Sequence, residues 1–172
     1  MNTITDIETL YARLGERDYE AVMSYLADDI VWIVADNSPL ADRSLYHGIA
    51  QVRSGIFERL TAGFDKLVFD ADEIFECNGG ERVVALGYYY FRFHGQAEER
   101  NAQVAHVWTI RDGRAVKFQQ YLDTLQVALM RELSKAPCTF REGLTKRCSE
   151  PRPVLMRSAH YLRTSSRNSR GR

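Results

Sequence analysis

Two titratable side chains, those of His106 and Asp123, belong to one stretch of sequence that predicts two adjoining strands. The stretch begins at Gln103. The dipeptide Asp112-Gly113 at its centre is typical of tight hairpin turns between alternating apolar runs. Side chains alternate across a strand, so that His106 shares a face with every second residue of the first strand. That face otherwise holds Val104, Trp108 and Ile110.

The surroundings of His106 decide its role. In a pocket, a histidine with an ordinary pKa of about 6.5 can act as a general acid or base near neutral pH. On an otherwise apolar face, a histidine can equally be a core residue whose ring nitrogens are satisfied by hydrogen bonds. Both interpretations stay open at this point.

Asp123 also has two interpretations. It follows Tyr121 by two residues, so both side chains point to one face of the last strand. If that face is inward, burial raises the pKa of the carboxyl group, which could exchange protons with a ligand or fix the tautomer of His106. Counted from the turn, the two residues are offset by about four positions, or roughly 13 Å, so a ligand would bridge them. The alternative is that Asp123 caps the helix that follows.

A loop and several aromatic residues supply the other candidates. Asp36 and Tyr46 lie in residues 35–47, which show no periodicity. Polar loop residues on a rigid scaffold often carry function, although an aspartate there often only makes a turn. The two tryptophans, Trp32 and Trp108, are interpreted as pocket walls.

An aromatic run at residues 88–91 alternates across both faces of its strand. This alternation predicts that Tyr89 lines the pocket. Tyr11 and Tyr121, from other elements, are interpreted as further pocket residues. The other half of the run is then available for contact with a second subunit. We therefore predict a homodimer through the outer face of residues 83–93 and 103–110.

The elements that position these residues follow from periodicity. Helical spacing predicts helices over residues 4–14, after Asp18, over residues 49–62 and over residues 124–133. Strand patterns are found at residues 30–34, 66–76 and 82–94 and in the two arms of the hairpin. The order α-α-β-α-β-β-β-β, with consecutive strands late in the chain, predicts an α+β fold with a mostly antiparallel sheet. A curved sheet wrapped over the helices forms a cone whose interior is a pocket.

Charge divides the 172-residue chain into two parts. Residues 131–172 carry 11 Lys and Arg against 3 Asp and Glu, a balance of +8, so residues 1–130 carry −8 within a net charge of zero. We predict a cone domain over residues 1–133 and a basic, unstructured segment over residues 134–172. Nucleic-acid binding is not expected except weakly through this segment, by charge alone.

Several classes of protein are excluded by what the sequence lacks. No apolar run is long enough to span a membrane, and the N-terminus does not resemble a secretory signal, which predicts a cytoplasmic protein. The three cysteines are irregularly spaced, which argues against disulfides and zinc. Phosphate-loop, dinucleotide-binding and nucleophile-elbow motifs are absent. The sequence therefore predicts a pocket without metal or cofactor.

Short patterns in a fixed order carry a family resemblance over residues 4–130. They are Asp18-Tyr19-Glu20-Ala21 before Leu26-Ala27-Asp28-Asp29-Ile30-Val31-Trp32, Gly48 before Val52, and Asp112-Gly113-Arg114 before Tyr121 and Asp123. In this order they resemble SnoaL-like members of the nuclear transport factor 2-like superfamily. That group includes ketosteroid isomerases, polyketide cyclases and limonene epoxide hydrolases. The resemblance implies a cystatin-like α+β barrel, a fold that hosts many chemistries.

The catalytic residues of the isomerases transfer only in part. Their general base falls on Val34, with Asp36 two residues further on. Their tyrosine donor from the first helix falls on Leu10, next to Tyr11, and their second donor falls on His106. The isomerase triad is therefore not present as such. For epoxide hydrolases, one catalytic aspartate falls on a glutamine, Gln120, and no matching arginine is found.

Two functions follow from these observations. The first is a cofactor-independent enzyme of the ketosteroid isomerase or polyketide cyclase type, which transfers protons on a small apolar molecule. The second is a non-catalytic module of the same fold that binds a ligand or dimerises. The predicted catalytic residues are His106, Asp123 and Asp36. The predicted substrate-binding residues are Tyr11, Trp32, Tyr46, Tyr89, Trp108 and Tyr121.

Overall fold

The computed structural model describes residues 3–135 of the 172-residue chain, and the side chains of residues 3–132. The predicted basic segment, residues 134–172, lies outside the described residues from position 136 onward. Within the described part, no helix is both long and apolar enough to span a membrane.

Two helices open the chain. Helix α1 (Thr3–Gly15) buries one stripe whose members are spaced three and four residues apart, Ile7, Leu10, Tyr11 and Leu14. Helix α2 (Tyr19–Ser24) begins after Asp18, whose carboxylate accepts a hydrogen bond of 3.1 Å from the backbone N–H of Ala21. This is the usual way to satisfy an unpaired N–H group at the start of a helix. Both helices were predicted at these positions.

A third helical stretch has an irregular middle. It consists of α3 (Gly48–Val52), a π-helical segment (Arg53–Phe57) and α4 (Glu58–Gly63). Within the π-helical segment, Gly55 lies against the ring of Tyr46, and a Cβ atom at Gly55 would lie 2.1 Å from that ring. The absence of a side chain at Gly55 therefore allows the helix to pack directly on an aromatic residue.

Six strands form one open sheet. They are β1 (Leu26–Ile33), β2 (Leu45–His47), β3 (Phe64–Cys77), β4 (Arg82–Phe93), β5 (Arg100–Arg111) and β6 (Arg114–Leu122). The spatial order is β2-β1-β6-β5-β4-β3, and β1–β6 is the parallel pair while the other pairs are antiparallel. The predicted α+β class with a mostly antiparallel sheet is confirmed. The sheet is curved and has two free edges, so it is not a closed barrel.

The sequence prediction differs from the structure in one edge strand and in the end of the last helix. Strand β2 lies within residues 35–47, which were predicted as a loop. Its three residues are too few to show an alternating pattern. Helix α5 (Thr124–Lys135) follows β6 and runs two residues past the predicted domain boundary at residue 133.

The bend in the sheet has a local cause. The register between β3 and β4 shifts between Ala71 and Glu73. Opposite this irregularity lies Gly87, where a Cβ atom would be only 2.0 Å from the backbone oxygen of Asp70. The two strands therefore approach more closely than any residue with a side chain would allow, and the sheet can curve over the helices.

The predicted hairpin between β5 and β6 is also present. Asp112 and Gly113 connect the strands with positive φ angles of 52° and 75°, as a two-residue turn with this dipeptide requires. The concave face of β5 and β6 packs into the core. Among the described residues, the buried polar or charged ones are His106 and Gln120, and both lie on this face.

Candidate functional site

A small cavity lies between the concave face of the sheet and the helices. Its volume is about 50 Å³. Its apolar lining comes mainly from α1, β1 and the third helical stretch, and its polar lining comes from the sheet and α1. The lining residues include Leu10, Tyr11, Leu14, Trp32, Val34, Ile56, Phe57, Leu60, Leu67, Tyr89, His106, Trp108, Phe118 and Gln120. Among the described residues, no Asp, Glu, Lys or Arg lines the cavity.

His106 lies between two tyrosines at the wall of this cavity. The hydroxyl of Tyr11, from α1, is 2.9 Å from Nδ1 of His106, and the hydroxyl of Tyr89, from β4, is 2.8 Å from Nε2. His106 is only 1% exposed. Both ring nitrogens are therefore satisfied by protein groups, and water does not need to reach them.

Each tyrosine has a second polar partner. Nε1 of Trp108 donates a hydrogen bond of 2.7 Å to the Tyr11 hydroxyl, and Nε2 of Gln120 donates one of 3.1 Å to the Tyr89 hydroxyl. We call the five residues Trp108, Tyr11, His106, Tyr89 and Gln120 the buried polar chain. Strand register assembles it, since His106 on β5 pairs directly with Gln120 on β6.

Burial keeps the buried polar chain neutral. It lowers the pKa of the His106 imidazole from the ordinary 6.5 to about 3, because the charged form would lose its hydration. Burial also raises the pKa values of the Tyr11 and Tyr89 hydroxyls above the ordinary value for a tyrosine. At neutral pH, the site thus contains a neutral imidazole and two protonated hydroxyls.

Aromatic rings form the wall next to this chain. The ring of Trp32 packs on Phe118 with centroids 4.0 Å apart, and edge-on against Trp108 at 5.8 Å. Phe57, from the π-helical segment, contacts Trp32 at 5.9 Å. Nε1 of Trp32 is buried and has no hydrogen-bond partner, the one such side-chain atom among the residues whose side chains are described. A buried N–H group without a partner needs an explanation.

The structure brings together five of the nine residues that the sequence singled out. The cavity lining includes Tyr11, Trp32, Tyr89, His106 and Trp108. These five lie where they were placed from the sequence, and their roles as site residues stay predictions. Both interpretations of His106 describe part of what is observed. Its ring nitrogens are satisfied by hydrogen bonds, as in a core histidine, and the ring also lines a cavity.

The prediction that Asp123 and Tyr121 face the cavity is wrong. Tyr121 is 59% exposed and points away from the interior, since it neighbours the inward-facing Gln120 along β6. Asp123 follows the end of the strand, and its carboxylate accepts a hydrogen bond of 3.0 Å from the backbone N–H of Gln126. Asp123 therefore caps the start of α5, which was the alternative interpretation.

Asp36 and Tyr46 also lie outside the cavity. Asp36 is exposed in the turn after β1, one residue before Asn37, which has a positive φ of 57°. Tyr46 is buried, but its ring fills the space beside Gly55, and its hydroxyl donates a hydrogen bond of 2.7 Å to Asp42. Both were predicted at the cavity because they lie in residues 35–47, which were predicted as a loop. A position in such a stretch does not determine where a side chain points.

Sequence reasoning missed Gln120 as a site residue. It considered this position only as a mismatch to a hydrolase aspartate, although alternation with Phe118 on β6 puts the two on one face. Which face of β6 points inward depends on the hairpin register, and the sequence does not record that register. The register shifts by one residue between Thr109 and Ile110 and places Gln120, rather than Gln119, opposite His106.

A metal centre is not indicated within the described part of the chain. No group of three or more His, Cys, Asp and Glu side chains there could hold a metal ion. The polar groups at the cavity are hydroxyl, imidazole, amide and indole.

Comparisons with known proteins agree with this fold. An NTF2-like protein from Burkholderia pseudomallei is 26% identical, with a TM-score of 0.66 over 74% of this chain and 95% of that one. TerC, co-crystallised with polyporic acid, is 22% identical, with a TM-score of 0.66 over 77% and 99%. A proposed polyketide cyclase from Pseudomonas putida is 12% identical, with a TM-score of 0.64 over 74% and 96%.

In sequence comparison, a family model matches the chain, whereas individual curated sequences do not. No curated protein sequence matches the chain. The SnoaL-like domain model matches residues 7–118, which include α1 from Ile7 onward, all of β1 to β5 and the cavity residues up to Phe118. The chain therefore belongs to the SnoaL-like domain family, within the NTF2-like superfamily.

Proposed function

We propose that this protein binds a small, largely apolar molecule in the cavity, with the polar part of the molecule toward His106. The observation that carries the proposal is the buried polar chain at the wall of an otherwise apolar cavity. Small-molecule sites are typically apolar concavities in which a few fixed polar groups orient the ligand. Tyr11, Tyr89 and Gln120 are such groups, and each is held in place by a hydrogen bond to a neighbour.

The size of the cavity sets a condition on binding. A volume of about 50 Å³ is well below the roughly 300–1,000 Å³ of typical ligand sites. Binding therefore has to enlarge the cavity. The lining that lies outside regular secondary structure belongs to the segment between β1 and β2 and consists of Val34, Ser38, Leu40 and Ala41. Displacing this segment breaks fewer packed contacts than displacing a strand.

The structural neighbours support the proposal at the level of the fold. TerC was co-crystallised with polyporic acid, and the Pseudomonas putida neighbour is a proposed polyketide cyclase. This chain therefore shares its fold with a protein that was crystallised with a small organic molecule. The identity of the ligand does not transfer at 22% and 12% identity.

Catalysis of the isomerase or cyclase kind is a second candidate. It is favoured by the continuous link Tyr11–His106–Tyr89, along which a proton can move by exchange of the imidazole tautomer. However, a histidine whose pKa is about 3 is a weak base, and no carboxylate from the described residues lines the cavity. The geometry therefore supports binding better than proton abstraction.

The experiment uses the two tryptophans of the chain as probes. Both line the cavity, so intrinsic fluorescence reports on this site. Titrating the full-length protein with ethylbenzene and with acetophenone should give a saturable change in emission. N-acetyltryptophanamide, titrated in parallel, controls for collisional quenching. If neither compound gives saturation up to its solubility limit, the proposal is wrong.

A pair of variants tests whether the compounds occupy the cavity. Leu67→Phe narrows the cavity at a lining residue, and Leu86→Phe adds the same bulk at a residue that is 37% exposed on the other face of the sheet. We expect the first to weaken binding and the second to leave it unchanged, with circular dichroism to check that both variants fold. Exchange of deuterium from D₂O into the methyl group of acetophenone would support the catalytic candidate.

A further inference from the structure

Residues 35–44, between β1 and β2, form a loop whose two ends are held together. Ile33 pairs with Leu45, and the backbone N–H of Val34 donates a hydrogen bond of 2.9 Å to the carbonyl of Ser44. Compact surface loops of this length, with close ends, are frequently functional. We call residues 35–44 the β1–β2 loop.

The β1–β2 loop is apolar on the side of the cavity and polar on the side of the solvent. Leu40 and Ala41 line the cavity and pack against the core, whereas Asp36 and Asp42 are exposed. The backbone is stiff in the middle of the loop, because Pro39 has a fixed φ angle. Moving the loop outward would therefore take Leu40 and Ala41 with it and open the cavity to solvent.

Two arginines from other elements donate to consecutive carbonyl groups of this loop. Nε of Arg59, in α4, donates a hydrogen bond of 3.5 Å to the carbonyl of Leu40. Nη1 of Arg131, in α5, donates to the carbonyl of Pro39. Both arginines are exposed. The loop is thus held from the solvent side at the point where the Leu40 side chain lines the cavity.

The helices that carry these arginines are themselves packed on the core. Arg59 precedes Leu60, which is 9% exposed and lines the cavity. Arg131 follows Val127 by four residues, so the two share a face of α5, and Val127 is 1% exposed. Both hydrogen bonds therefore connect the β1–β2 loop to elements that are fixed in place.

We infer that the β1–β2 loop is a lid over the cavity, and that Arg59 and Arg131 are the two clasps that hold it closed. This inference goes beyond the proposed function, because it concerns how the cavity opens and does not depend on which ligand enters. It also gives α5 a role, since a movement of that helix would release the lid at Pro39. Each clasp bonds a backbone carbonyl, so replacing the arginine removes the clasp without changing the sequence of the lid.

The experiment measures lid opening through the reactivity of a thiol inside the cavity. Val34 lines the cavity at the base of the lid, is 6% exposed and has nearly the size of a cysteine. Val34→Cys is made in the full-length protein with its three native cysteines replaced by serine. Alkylation by iodoacetamide, a small neutral reagent, is followed by mass spectrometry. Ala85→Cys, at a buried position of β4 that does not line the cavity, reports opening of the whole fold in the same background.

Removing either clasp should speed alkylation at position 34. We expect Arg59→Met and Arg131→Met each to raise the rate about fivefold, as the loss of one hydrogen bond of ordinary strength implies. The double variant should raise it about 25-fold, because independent contributions to the same opening add in free energy. Arg13→Met removes an exposed guanidinium that bonds to Glu16 in a different part of the fold, and this matched control should leave the rate unchanged.

Three results would overturn the inference in whole or in part. Unchanged alkylation in both clasp variants would show that the two arginines hold nothing closed. An equal rise at Ala85→Cys would show that the substitutions loosen the whole fold rather than the lid. A rise with Arg59→Met alone would remove α5 from the control of the lid. Because no ligand is used, none of these results decides whether the cavity binds one.

Discussion

The two faces of strands β5 and β6 use their side chains in opposite ways. On the inner face, His106 pairs with Gln120, and both are buried among aromatic rings. At the neighbouring pair of positions, on the outer face, Ala105 pairs with Tyr121, and Leu86 of β4 continues this row. Tyr121 is 59% exposed and Leu86 is 37% exposed.

This reversal indicates where partners belong. Soluble domains usually bury apolar groups and expose polar ones, so a buried polar cluster and an exposed apolar row are the informative exceptions. We propose that a ligand uses the polar groups of the inner face. The outer exception is explained by a second copy of the chain, which we propose as the partner. The four predictions below test this comparison, beginning with the largest expected effect.

Removing the imidazole from the inner face should have the largest effect on stability. His106→Ala leaves the two tyrosine hydroxyls without their shared partner and opens a void, which we expect to lower the free energy of unfolding by about 3 kcal/mol. Urea denaturation measures it. The control is Gln103→Ala, an exposed position on the same strand, where the change should stay within about 0.5 kcal/mol. An equal loss of unfolding free energy in both variants would show that His106 stabilises the fold no more than an exposed residue of the same strand.

The stability of the fold should depend on pH through His106. Its folded pKa of about 3 lies below the unfolded value of about 6.5, so the unfolded state binds the extra proton first. The contribution is present above about pH 6.5 and is lost as pH falls toward 3. Between pH 7 and pH 5, the loss should amount to about 2 kcal/mol. Denaturation at several pH values should show this slope, and it should flatten in His106→Phe.

A hydroxyl on the inner face should matter more than one on the outer face. Tyr89→Phe removes the group that joins His106 to Gln120, and we expect a cost of about 1 kcal/mol in the free energy of unfolding. Tyr121→Phe removes an exposed hydroxyl and should cost nearly nothing. Thermal denaturation of both variants in parallel measures the difference. A larger cost for Tyr121→Phe would reverse the assignment of the faces.

A charge on the outer face should alter assembly with the smallest effect on the fold of each subunit. Leu86→Lys places an ammonium group in the apolar row, and we expect it to shift the protein from dimer to monomer. Light scattering at tens of micromolar measures the mass. A wild-type protein that is already a monomer at that concentration would contradict the dimer. Ala12→Lys, at an exposed position of helix α1 away from this row, is the matched control for added charge.

The fold was predictable because its signals are local and repeated. The stripe from Ile7 to Leu14, the Asp18 cap and the Asp112-Gly113 turn each specify one element with little influence from the rest of the chain. Their order then leaves few α+β arrangements. The short strand β2 was missed because it depends on pairing with β1, and three residues show no period of their own.

The site was only partly predictable because it depends on register. Alternation correctly placed His106 and Trp108 inside, since both lie on a long strand whose face is set by many residues. Asp123 and Tyr121 were misplaced because an irregularity after Thr109 changes the count from the turn. Such a shift comes from the packing of the whole sheet, and no short sequence pattern records it.

The buried polar chain also has a consequence for how the protein is made. Tyr11 bonds to residues 95 and 97 positions later, and β1 pairs with β6, which begins at Arg114. Contacts between such distant parts of a chain form late and slow folding, because a long loop must close first. During synthesis, α1 leaves the ribosome well before its partners exist. Its apolar stripe can pack on α2 and β3 once these have emerged, with Tyr11 against Phe69, but Tyr11 gains its hydrogen-bond partners only when β5 follows. The inner face of the nascent chain therefore stays incomplete, and open to aggregation, until then.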